Sequence, residues 1–158
     1  MEMKKDPFFL IKLNLGALVV VFFIILTTII AAPIFRNYII ALGGFFSMLG
    51  FSLIALTFQK QIKGAARLFL LLGGGGAAAF FISILLHNLT SAFFVSLFGS
   101  GFWERIGTSD EPFFFFAALL VSPLVFLIGT LGSIFLLVKK DIQSSYERYK
   151  ETDKFNKG

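Results

Sequence analysis

The stretch Arg67–Thr90, RLFLLLGGGGAAAFFISILLHNLT, decides how the chain folds. Gly73, Gly74, Gly75 and Gly76 lie at its middle, Ala77, Ala78 and Ala79 follow, and the chain's single histidine, His87, stands near its end. From Leu68 to Leu86 no residue is ionisable, which is long enough to cross a bilayer as one helix. In water a run of glycines would not stay helical, since each costs about 1 kcal/mol relative to Ala. In hydrocarbon the backbone must satisfy its own hydrogen bonds, so the helix persists. The glycines then offer a bare surface against which another helix presses closely. At about 100° per residue, Gly76, Ala79, Ser83, His87 and Thr90 fall on one stripe.

Composition agrees with that reading. Of 158 residues, 57% are hydrophobic and 15% charged, which is far too apolar for a water-soluble domain. The 23 Phe residues suit a lipid-facing surface. The chain is one domain in length, and without Cys it has no disulfide, iron–sulfur or thiol chemistry.

Working outward from Arg67–Thr90, residues 38–58 form a span whose Gly43, Ser47 and Gly50 recur at helical spacing. Before it, residues 13–35 carry no charge, and Pro33 marks their outer end. That run is longer than the core of a signal peptide, so it is read as retained. The short Arg36-Asn37-Tyr38 connection makes the first two spans a helical hairpin. On the other side, residues 91–112 form the longest connection, either extending the third helix or lying in the interface. Gly99 and Gly101 break it, and Trp103 suits the headgroup region. Thr108-Ser109-Asp110-Glu111-Pro112 is a helix-start signature. The fourth span, 113–138, carries Ala118, Ser122 and Gly129 on one stripe, and Pro123 should kink it. Residues 1–12 form a basic leader. Residues 139–158 form a charged tail expected to continue as helix and to fade by Asn156.

The 14 Lys and Arg fix an orientation. Lys4, Lys5 and Lys12 lie in the leader, Lys60, Lys63 and Arg67 in the middle loop. Lys139, Lys140, Arg148, Lys150, Lys154 and Lys157 lie in the tail, leaving only Arg36 and Arg105 for the opposite side. The bias predicts both termini in the cytoplasm. It also attributes the net charge of +5 to topology and anionic lipid rather than to nucleic acid. The expected fold is an all-α integral membrane protein of the cell membrane. Its four transmembrane helices form an up-down bundle of two antiparallel hairpins.

On the outer side this places a candidate polar site made from His87, Asn88, Arg36, Tyr38, Glu104, Arg105, Asp110 and Glu111. A histidine there can shuttle protons, or simply fix packing by bonding a neighbouring helix. Helix packing is assigned to Gly43, Ser47, Gly50, Gly76, Ala79, Ser83, Ala118, Ser122 and Gly129. The four glycines lack the strand, Lys and Ser/Thr of a phosphate loop, and close packing is preferred to an unwound transport path. Asn88-Leu89-Thr90 matches a glycosylation acceptor but lies too near the membrane. Length and span count resemble those of small multidrug transporters and fluoride channels. The first span lacks the membrane-embedded carboxylate of the former, and the spans lack the polar motifs of the latter, so the resemblance is one of size.

The spans show no nucleophile–base pair, paired carboxylates or metal set, so no catalytic residue, metal or cofactor is expected. The leading expectation is a structural or accessory membrane protein acting through helix packing with lipids, other membrane subunits or itself. The alternative is a small oligomeric transporter or channel with an outward-facing site near His87.

Overall fold

The computed structural model describes residues 8–31 and 36–156. Every regular element among them is helical: α1 (Phe9–Ala31), α2 (Arg36–Gln59), α3 (Gly64–Phe98), α4 (Phe102–Arg105), α5 (Pro112–Phe116) and α6 (Ser122–Asn156). A π-helical turn, Ala117–Val121, joins α5 to α6 without a break. Four segments, Phe9–Ile29, Tyr38–Gln59, Gly64–Phe98 and Pro112–Tyr146, are long and apolar enough to cross a membrane. Less than half of each is buried inside the molecule. The large apolar side chains left outside, such as Met48, Leu89, Phe113 and Phe135, have no reason to face water and every reason to face hydrocarbon.

The element boundaries depart from the sequence expectation in two places, the start of α1 and the end of α3. α1 begins at Phe9 rather than residue 13 and carries Lys12 on its first turns, where a long aliphatic stem lets a lysine sit on an apolar helix. Pro33, expected to end the first span, lies outside the described residues, as do Met1–Pro7 of the leader. α3 continues past residue 90 to Phe98, so the outer connection shrinks to 99–111. Helix continues there because Ala92–Phe98 is apolar and aromatic throughout and its rings have partners. Phe94 and Phe98 stack on Phe102 with centroids 5.0 and 5.1 Å apart, and Trp103 meets Phe94 at 5.6 Å. Trp103 is therefore buried in an aromatic nest. The helix stops at Gly99, whose φ of 88° and ψ of 163° belong to glycine alone. The Arg105 guanidinium donates to the freed Phe98 carbonyl, placing a cation at the negative helix end.

Inside the molecule α3 is the central rod. One side lies on α2, where a Cβ on Gly50 would stand 2.6 Å from the Gly74 carbonyl oxygen and 2.9 Å from the Ala77 Cβ. The Ser47 hydroxyl completes this contact by donating to the Ala77 and Ala78 carbonyls at 2.9 and 3.0 Å. The other side lies on α6, where a Cβ on Gly76 would stand 2.5 Å from the Phe126 nitrogen and 2.9 Å from the Ser122 oxygen. Gly129 meets the Gly73 backbone, and Gly132 receives the Phe69 ring. The four glycines thus serve two interfaces. Gly74 faces α2, Gly73 and Gly76 face α6, and Gly75 meets nothing within 4 Å.

Of the packing residues assigned from sequence, Gly43, Ser47, Gly50, Gly76, Ser83, Ala118, Ser122 and Gly129 are buried, whereas Ala79 is half-buried. Gly73, Gly74, Ala77 and Ala78 are buried too, because a helix with neighbours on two sides hides more than one stripe. At the centre Phe126, 1% exposed, holds its ring 5.0 Å from both Phe22 and Phe46, so α1, α2 and α6 meet at one side chain. Pro123 has no N–H for the helix ladder. The π turn ahead of it absorbs the defect, with the Ser122 N–H donating to the Ala117 carbonyl five residues back.

Gly76→Ala and Gly129→Ala should each force α3 and α6 apart and cost about 1–3 kcal/mol. Gly75→Ala should be neutral or stabilising by up to about 1 kcal/mol, the gain in helix propensity. Unfolding midpoints in mild detergent compare the three, and equal losses at Gly75 and Gly76 would contradict the two-interface assignment.

Candidate functional site

His87 lies 20 positions beyond Arg67 on α3, about 30 Å along the axis, which is the thickness of the hydrocarbon layer. There it lies beside the start of α5. Glu111 supplies the cap of α5. Its carboxylate accepts the Phe113 N–H at 2.7 Å and the Phe114 N–H at 2.9 Å, satisfying donors that no carbonyl can reach. This is why a carboxylate only 5% exposed is tolerated: two N–H groups and the positive helix end face it.

The imidazole closes the arrangement. Its Nδ1–H donates to the Glu111 carbonyl oxygen at 2.9 Å, with a Glu111 carboxylate oxygen at 3.3 Å. Its Nε2 faces Asp110 Oδ2 at 3.4 Å. Both ring nitrogens look at acceptors, so a protonated ring donates on both sides and a neutral ring on one. Asp110 also accepts the Ser91 hydroxyl and, at 2.7 Å, the Glu111 N–H. The Ser91 hydroxyl and then the Glu111 N–H hold the Asp110 carboxyl below its ordinary value of 3.8, His87 adding to the effect and partial burial opposing it. Phe115 packs on the imidazole with centroids 5.6 Å apart.

His87, Asp110, Glu111 and Phe115 line an open pocket of about 530 Å³ together with Gly107, Thr108 and Ser109. Of the eight residues assigned from sequence, His87, Asp110 and Glu111 come together there. Asn88 turns back to donate to the Ile84 carbonyl of its own helix. Arg105 is committed to Phe98, and Glu104 stands exposed on α4. Tyr38 is exposed near the start of α2 and does not line the pocket. Arg36 is placed only as the first residue of α2. Ser91 is the member that the sequence reading passed over. Its signal was present, since it lies four residues after His87 on the same helix face.

The chemistry open to this arrangement is recognition and proton exchange. In a hydrolytic triad the imidazole stands between hydroxyl and carboxylate. Here the Ser91 hydroxyl donates to the carboxylate and the imidazole lies on the carboxylate's other oxygen, so no imidazole faces the hydroxyl. Among the described residues no group of three His, Asp or Glu is placed to hold a metal ion. Comparison with protein-family models, with curated proteins and with solved structures gives no match for this chain.

Because the folded-state value of Asp110 is depressed, its contribution to stability is fully present above pH 3.8 and fades as the pH falls through the lower value. In detergent the wild type should unfold at a higher temperature than Asp110→Asn at pH 7. The gap should close on acidification below pH 4; a pH-independent gap would contradict the assignment. Glu111→Ala should cost about 1–2 kcal/mol through the lost cap, read in the same unfolding measurement.

Proposed function

We propose that this chain is a multi-pass protein of the cell membrane, its helices running up and down as two antiparallel hairpins with both termini in the cytoplasm. It acts as a structural or accessory component, holding partner membrane subunits or lipid against its outer faces. The observation that carries this reading is the backbone-to-backbone seam on both sides of α3, at Gly50–Gly74 and Gly73–Gly129. Such contact makes a stiff scaffold. Support for the hairpins comes from paired contacts in which residue numbers rise on one helix and fall on the next: Asn14 meets Ser52 and Phe22 meets Phe46 between α1 and α2, and Phe69 meets Gly132 and Gly76 meets Phe126 between α3 and α6. Support for the orientation comes from the positions of Lys and Arg.

A small oligomeric transporter or channel is the second reading, and the open pocket at His87, Asp110 and Glu111 is what favours it. A polar vestibule at the outer boundary is where a cation or proton would enter.

Reporter fusions at residues 1 and 158 should report the cytoplasm, and one inserted at Gly107 should report the outside; an external terminus would sink the topology. Purification in mild detergent separates the two roles. A complex of fixed stoichiometry with other membrane subunits supports the accessory role. A lone homo-oligomer stabilised by a particular solute, with that stabilisation lost in His87→Ala, replaces it with transport.

A further inference from the structure

α1 and α6 meet at two levels, with a crevice between them. Near the middle Phe22 touches Phe126, and near the start of α1 the Lys12 ammonium holds both Asp141 oxygens at 2.8 and 3.0 Å. Ten residues of α1 separate the levels, about 15 Å of helix. The crevice has a volume of about 210 Å³, and Leu15, Gly16, Val19 and Leu137 line its walls. Gly16 contributes a bare wall, since a Cβ there would meet nothing within 4 Å. This glycine is not used to bring helices together, unlike Gly50, Gly76 or Gly129; it leaves space.

The mouth of the crevice is cationic. Lys12 and Asp141 flank it, and the Lys140 ammonium lies 4.0 Å above the Phe8 ring, so one carboxylate stands beside two ammonium groups. The Lys12–Asp141 pair is itself partly exposed, at 32% and 58% of the two side chains, and a pair in that setting exchanges partners at little cost. An apolar slot with a net positive mouth at the end of a bilayer-spanning helix fits a molecule with one acyl chain and a phosphate-bearing anionic head.

We propose that this crevice is a binding site for an anionic phospholipid, one acyl chain lying along Gly16 and the headgroup phosphate held by Lys12 and Lys140. A second copy of the chain would place another helix over Gly16 but would bring its own lysines to the same mouth, so charge favours the lipid. The inference rests on the membrane reading alone, and failure of that reading would appear separately, as protein recovered from aqueous extract without detergent.

The full chain, reconstituted in nanodiscs of equimolar phosphatidylglycerol and phosphatidylcholine and released for native mass spectrometry, should retain one phosphatidylglycerol in preference to phosphatidylcholine. A Cβ on Gly16 meets nothing within 4 Å, so Gly16→Leu projects its side chain into the slot and should lose the retained lipid while its circular dichroism and monodispersity stay those of the wild type. Lys12→Gln and Lys140→Gln should each lower the preference for phosphatidylglycerol about fivefold, the factor corresponding to ~1 kcal/mol per cation. Asp141→Asn should raise it by removing the carboxylate that flanks the mouth. Equal retention of the two lipids, retention unaffected by Gly16→Leu in a folded protein, or a second copy in place of lipid would each overturn the proposal.

Discussion

Nothing in a bilayer drives apolar helices together as water does, because lipid chains are as oily as leucine. What remains is contact, and contact strengthens as backbones approach. Everything in this fold depends on the missing Cβ atoms at Gly50, Gly73, Gly74, Gly76 and Gly129. They let α3 lie against α2 and α6 at a separation that most side chains forbid. Ser47 then reaches two carbonyls of α3, and the Phe126 ring drops between Phe22 and Phe46.

The outer end follows from the same geometry. With α3 and α6 pressed together in the middle, the segments that continue them outward emerge as neighbours. His87 and Ser91 on one meet Asp110 and Glu111 at the head of the other. The cluster is thus both a cap for α5 and a clasp between two helices. Two backbone N–H groups of α5 let the Glu111 carboxylate stay buried while its neighbour Asp110 remains exposed.

Much of this was legible in the residues. The charge-free runs gave the four helices, the glycine run announced close packing, and Asp110-Glu111-Pro112 announced a helix start. The division of labour among the four glycines was not legible, since a 3.6-residue period marks faces but does not say which neighbour covers each. Ala79 lies on the stripe that the period draws and is half-buried, whereas Gly73 and Ala78 lie off that stripe and are buried. The extension of α3 to Phe98 escaped because it depends on rings contributed by Phe102 and Trp103, a contact no local pattern encodes. Arg105 was placed in the polar site by its charge, but a nearer acceptor, the end carbonyl of α3, takes it.

The π turn at Ala117–Val121 has one more consequence. A single surplus residue in a helix rotates everything ahead of it by about 100° about the axis. That offset sets the angular phase between Glu111, which must point at His87, and Phe126, which must point at the molecular centre. Removing one residue from this turn would swing the clasp away from its partner and take from Pro123 the turn that accommodates it. The turn is therefore an indexing device: the vestibule and the lipid-embedded seam are keyed to each other through one residue's worth of rotation.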